Sequence, residues 1–359
     1  MKRHNENNER VKRDYFQYLK EAQRYGEQSV DTVAMAISRF EEHSRYRDFK
    51  AFHREQAVAF KRHLAEQTSK RTKGKLSKST VRSTLRALRA FFVWLAGQPG
   101  YKSRLSYSGA DFFNPSDRDS RIALGARPRP VPTLEQIEHV LSLMPSATPI
   151  ERRDRALIAF TLLTGCRDRA TVSLKMKHVN IEQRFVLQDA REVETKFGKT
   201  ISTYFFPVSE EALKVVATWI VELRSVHLWG ADDPVFPTTH IAPGEDALFK
   251  ADGLERRHWS NADPVRRVFK AAFERAGLPY FNPHSFRNTL ARLGQERCRT
   301  AEEMKAWSQN LGHEQMMTTF ASYGRIETHR QGEIIRALAQ PTGPQPEIRD
   351  LLERLLARQ

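Results

Sequence analysis

Two arginines, two histidines, a tyrosine and one of two neighbouring lysines have the types needed to break a phosphodiester. The run T-G-C-R at 164–167 ends an apolar stretch with Arg167. Lys196 and Lys199 flank Phe197 and Gly198 between two β-prone segments. The run H-S-F-R at 284–287 sets His284 and Arg287 at i and i+3, on one helix face. L-G-H at 311–313 places His313 just after a helix stop, and Tyr323 follows ten residues later among small and apolar residues. Arginine forks hold non-bridging phosphate oxygens and neutralise a pentacoordinate transition state. A tyrosine hydroxyl is a covalent nucleophile, and a lysine protonates a departing alkoxide. Taken singly, each piece is ordinary: a helix-end arginine is usually an ion-pair or surface residue, and a tyrosine among apolar residues is usually core. His284 and His313 lack a third ligand at metal-binding spacing, so neither a metal nor another cofactor is expected.

The elements that must position these residues read as mainly helical. Residues 9–97 have helical periodicity throughout. Val33, Ala36, Ile37 and Phe40 suit one amphipathic helix within Asp31–His43, and Val58, Phe60 and Leu64 suit a second. In Ser77–Leu95, Val81, Leu85, Leu88, Phe92 and Leu95 form a buried face. Lys78, Arg82, Arg86 and Arg89 form a basic stripe on the same helix, suited to a phosphate backbone; a solvated face is the plainer reading of such a stripe. After residue 131, Thr133 and Gln136 make a capping box, and Asp154–Leu163 reads as a buried helix. Arg184–Glu194 and Thr200–Val208 read as a β-hairpin with Gly198 in its turn, the one β interruption in this half. Asp263-Pro264 opens another helix, Thr300 and Glu303 cap a short one, and Ile348–Leu356 is amphipathic.

Composition points to a polyanion partner. The 359 residues carry a formal net charge of +16, and residues 1–131 hold 28 basic against 14 acidic residues. The excess is therefore concentrated at the N-terminal end, and nucleic acid is the simplest polyanion to match it, the alternative being a basic but unspecialised surface. Apolar residues make up 40% of the chain, enough for packed cores, and the length favours two domains. The apolar stretches are too short to span a bilayer, and the first sixteen residues have no secretory signature. Cys166 and Cys298 make no disulfide framework. A cytoplasmic protein without membrane contact is expected. The expected organisation is a helical DNA-binding domain at 1–115, a Gly/Pro/Ser-rich linker at 116–131, a second domain at 132–340 and a helical tail at 341–359.

In this order, the separate motifs resemble the tyrosine recombinases of the phage integrase family. The matching runs are T-G-C-R at 164–167, T-K-F-G-K at 195–199, H-S-F-R at 284–287, L-G-H at 311–313 and Tyr323. The helix at 79–95 also resembles the last helix of that family's core-binding domain. The resemblance covers roughly residues 29–335.

The resemblance implies a mainly α fold with a small β-sheet, an N-terminal core-binding domain and a catalytic domain that clamp a duplex. It implies Arg167 and Arg287 as phosphate-binding arginines and His284 as an aid to proton transfer. His313 would hydrogen-bond the phosphate, and Tyr323 would form a 3′-phosphotyrosine. Lys196 best matches the general-acid lysine, with Lys199 as the second candidate. Two departures stand out: Ala170 occupies a position often acidic in the family, with Asp168 the nearest acid, and the histidine-to-tyrosine interval is ten where nine is common. The implied activity is site-specific recombination or integration on double-stranded DNA by a homotetramer, through a Holliday junction and without ATP. Phage integration, transposon movement and chromosome resolution are all within the family's range. The alternatives are a type IB topoisomerase-like enzyme and a non-catalytic DNA-binding protein of the same fold. The C-terminal helix has two readings, packing on its own protomer or on a neighbour.

Overall fold

The computed structural model describes residues 4–69, 74–125, 130–243 and 248–312. His313, Tyr323 and the expected tail helix lie outside them. The chain divides into two compact units, Met1–Gly125 and Ala126–Gln359. Among the described residues no helix is long and apolar enough to cross a membrane.

The first unit contains α1 (Glu6–Glu21), α2 (Glu27–His43), α3 (Arg54–Glu66), α4 (Lys78–Ala96), α5 (Tyr107–Ala110) and α6 (Asp117–Leu124). Helix α4 forms where the periodicity requires it. Ser77 Oγ accepts from the Thr80 amide at 3.1 Å, and Val81, Leu85, Leu88, Phe92 and Leu95 are all buried. Phe92 stacks on Phe52 with ring centroids 4.0 Å apart, and Phe40 and Phe113 pack around the pair. Each such ring contributes roughly 1.5–3 kcal/mol on burial. The helical stretch expected over 9–97 is interrupted. Arg45 and Tyr46 adopt positive φ after α2, and Thr68 pairs with Lys75 as a β-bridge before α4. Asn8 makes the first break possible: its side chain donates to Glu41 and to the Arg47 carbonyl and accepts from the Phe49 amide. The segment expected as linker holds α6, whose Asp119 bonds Lys78 of α4 at 2.8 Å.

The second unit contains α7 (Leu134–Leu143), α8 (Pro149–Thr164) and α9 (Asp168–Ser173), then the strands β1 (Val179–Asn180), β2 (Phe185–Gln188) and β3 (Ile201–Tyr204). Next come α10 (Glu210–Ser225), β4 (Pro237–Pro243), β5 (Phe249–His258), α11 (Asp263–Arg275), α12 (Pro283–Arg297) and α13 (Ala301–Asn310). Helix α8 is the centre of the core, buried without a break from Ala156 to Thr164. It starts earlier than expected, because Thr148 and Glu151 cap each other's backbone ahead of Pro149.

Strands β1, β2 and β3 make one antiparallel sheet, with Phe185 opposite Tyr204 and Gln188 opposite Ile201. The hairpin strands are much shorter than expected. The chain leaves the ladder at Asp189, whose carbonyl accepts from the Glu192 and Val193 amides, and Val193 turns into the core. A long loop over 189–200 results, and Phe197 shares the positive φ of Gly198 at its tip. A second hairpin, β4–β5, contradicts the expectation of a single β interruption. Its strands carry prolines, charges and exposed apolar residues such as Ile241 and Phe249, so no inside–outside alternation marks them.

Candidate active site

Arg167 stands where α8 ends and α9 begins. Gly165 terminates α8 in the left-handed conformation, φ 58°, and a Cβ there would lie 3.0 Å from both Leu290 and Leu311. Glycine is therefore required twice, by backbone angle and by close approach. Thr164 Oγ1 donates to the Phe160 carbonyl and accepts from the Cys166 amide, which shapes the turn. Burial pushes the Cys166 thiol up to about 11, so it stays protonated and unreactive. Arg167 itself is half-buried, and desolvation lowers its guanidinium below the ordinary arginine value. Among the described residues its side chain has no hydrogen bond or ion pair. The adjacent Asp168 is committed elsewhere, to Arg266 of α11 at 2.9 Å.

Helix α12 supplies the second arginine and a histidine. Asn282 caps it, accepting from the Ser285 amide, and Pro283 occupies the first turn. Arg287 is buried and donates to two backbone carbonyls, those of Gly165 and Leu311. That fork joins the T-G-C-R turn to the end of α13 across the helix that carries the arginine. His284 lies one turn earlier and is exposed, yet its pKa is lowered. The largest cause is desolvation, followed by the charges of Arg287 and Arg167; Asp168 opposes them, and Lys196 lowers the pKa further. The positive end of α12 acts in the same direction.

Lys196 thus shares the electrostatic environment of His284, although it is carried by the loop after β2. Its ammonium lies 4.8 Å from the centroid of the Phe197 ring, which is 80% exposed. Lys199, the other candidate, is less exposed than Lys196. The hairpin is locked to the L-G-H motif by Asn310. The Tyr204 amide donates to Asn310 Oδ1 at 2.7 Å, and Asn310 Nδ2 donates back to the Tyr204 carbonyl at 2.8 Å. Gly312, φ 71°, lets the chain pass Ile201, where a Cβ would come within 2.9 Å. Sequence reasoning missed Asn310; an asparagine two residues before a helix-ending glycine was its only trace.

The described part of the site therefore brings together Arg167, Lys196, His284 and Arg287, while His313 and Tyr323 fall outside the described residues. Three cations and a neutral imidazole can hold and polarise a phosphodiester. Among the described residues no three His, Cys, Asp or Glu side chains gather as they would around a metal ion.

The Phage integrase family pattern matches residues 132–330, more than half of the chain and a span that includes both His313 and Tyr323. The chain belongs to the phage integrase family. A relative, tyrosine recombinase XerC 2 of Ralstonia nicotianae, is 23% identical over 261 residues, covering 72% of this chain but only 64% of its own length. The fold is similar to that of lambda integrase (residues 75-356 of that protein) in a structure of its dimer bound to a COC' core site, TM-score 0.59 at 14% identity over 89% of this chain and 99% of that one. A lambda integrase tetramer bound to a Holliday junction gives TM-score 0.56 at 15% identity, over 89% of this chain and 80% of that one.

In this phage integrase family member the basic stripe of the first unit divides in two. Lys78 pairs with Asp119 and Arg89 with Asp111, each at 2.8 Å. Arg82 and Arg86, in the middle of α4, have no such acid among the described residues. The outer two cations are thus partly neutralised within their own unit, and the inner two remain open to a polyanion.

Proposed function

We propose that the chain breaks and rejoins double-stranded DNA at specific sites, as a tyrosine recombinase. Tyr323 attacks the scissile phosphate, forms a 3′-phosphotyrosine and releases a 5′-hydroxyl. Arg167 and Arg287 hold the non-bridging oxygens, and His313 adds a hydrogen bond to them. His284 assists proton transfer, and Lys196 protonates the leaving 5′-oxygen. The phosphotyrosine conserves the bond energy, so strand rejoining needs no ATP. Arginine and lysine charge serves where other nucleases use a metal. Arg82 and Arg86 follow the phosphate backbone along α4.

The observation that carries this reading is the half-buried Arg167. A guanidinium that loses hydration without an acid partner is costly unless an anion completes it. Its neighbour in the same turn, Gly165, anchors Arg287, so two arginines are delivered to one place. The Holliday-junction complex of lambda integrase supports a tetramer on two DNA sites, and the expected setting is cytoplasmic.

The experiment is a plasmid assay with two copies of the DNA segment that flanks the gene. Recombinant circles support the proposal. Relaxed plasmid without recombinants would assign a topoisomerase activity. Binding with neither product would assign a non-catalytic role.

A further inference from the structure

The loop over 189–200 is tethered immediately before Lys196. The Glu192 carboxylate lies 2.8 Å from both Lys175 and Lys177, and the same two lysines reach Asp232 at 3.2 and 2.9 Å. Val193 is 3% exposed and sits in the core. The Glu194 amide donates to Ser173 Oγ at 2.9 Å, and the Ser173 hydroxyl donates in turn to the Ala170 carbonyl at 3.0 Å. One hydroxyl thus closes the last turn of α9 and receives the backbone two residues before the lysine.

Helix α9 has Arg167 at its other end. Its first hydrogen bonds run from the Thr171 amide and hydroxyl to the Arg167 carbonyl. A six-residue helix therefore connects the proposed phosphate-binding arginine to the anchor of the proposed general acid. The Arg169–Glu194 ion pair spans the same gap at 3.4 Å, but its side chains are 47% and 61% exposed. Exposed pairs of that kind contribute little, which leaves the Ser173 hydrogen bond as the specific link.

We infer that Ser173 is a positioning residue for Lys196, setting the distance between the lysine and Arg167 through α9. The inference rests on the reading of Lys196 as the general acid. Removal of the Ser173 hydroxyl leaves Val193 in the core and the Glu192 charge cluster intact, so the hairpin still forms. What disappears is the tether on the side facing α9. Misplacement of a catalytic group by about 1 Å costs on the order of a hundredfold in rate. The defect should fall on leaving-group protonation alone.

The test uses the full-length chain in single-turnover cleavage of two suicide DNA substrates. One has the ordinary 5′-bridging oxygen, and the other has a 5′-bridging sulfur that departs without a proton. Ser173→Ala should slow the oxygen substrate by roughly tenfold to a hundredfold and the sulfur substrate by less than about threefold. Ser173→Thr, which keeps the hydroxyl, should restore most of the rate. Equal slowing on both substrates, or no slowing on either, overturns the positioning role. Lys196→Ala runs beside it. If that variant is not rescued by sulfur, the general-acid reading of Lys196 fails and the inference falls with it. If it is rescued and Ser173→Ala is not, only the inference about Ser173 fails.

Discussion

Arg287 donates to the carbonyl of Gly165, two residues before Arg167, so the first arginine's turn is a ligand of the second arginine's side chain. Gly165 is consequently the residue through which both are placed. Gly165→Ala would force a Cβ into a left-handed position 3.0 Å from Leu290 and Leu311. The expected loss is about 2 kcal/mol of stability, from backbone strain and overpacking together. Chemical denaturation checks it. Cleavage at a temperature where the variant is still folded should fall more than DNA binding does, because the turn moves both arginines.

Arg167→Gln should separate activity from stability. The substitution removes a half-buried charge with no acid partner among the described residues. The melting temperature should stay level or rise, while single-turnover cleavage falls by about a hundredfold or more. A large drop in melting temperature would mean that Arg167 serves the fold.

On α4, the double change Arg82→Ala/Arg86→Ala should weaken binding about equally on all DNA sequences. The slope of log K against log salt should flatten by about 0.9 for each phosphate that is no longer neutralised. Lys78→Ala and Arg89→Ala should do less, since Asp119 and Asp111 already compensate those charges. Unchanged affinity and slope in the double variant would return the stripe to a solvated face.

His284 should titrate below the ordinary histidine value of about 6.5. A base depressed on folding leaves the folded chain with fewer protons than the unfolded chain between the two pKa values. Its contribution is therefore neutral above about pH 6.5, and stability is lost as pH falls below it. Over the same window the imidazole stays neutral and able to take a proton. An NMR titration of the ring should give a midpoint below 6.5, moved upward by Lys196→Ala. A midpoint at or above 6.5 contradicts the site's electrostatics.

The candidate site residues stood out in the sequence because they sit in short contiguous runs, T-G-C-R after the uninterrupted apolar run of α8 and H-S-F-R in the first turn of α12. The regular burial along α4 was legible because Val81, Leu85, Leu88, Phe92 and Leu95 repeat at helical intervals. The parts that hold the site in register were not. Asn310 meets Tyr204 across 106 positions, and Ser173 meets Glu194 across 21, each through a single polar group without periodicity. The role of Gly165 as a point of close approach depends on Leu290 and Leu311, which no local pattern connects to it. The β4–β5 hairpin escaped detection because backbone pairing, with two register shifts, holds it rather than a buried face. The basic stripe could be read as charge, but its internal pairing to Asp111 and Asp119 could not.

The proposed chemistry stands or falls on Tyr323 becoming covalently joined to DNA. A nicked suicide substrate, run with the full-length chain on a denaturing gel and followed by mass spectrometry of the adduct, tests this step without intermediaries. The expected product is a protein–DNA adduct with the 3′-phosphate on Tyr323. Tyr323→Phe, lacking only the hydroxyl, should bind the same DNA and form no adduct. An adduct mapped to another residue, or one that persists in Tyr323→Phe, would contradict the assignment.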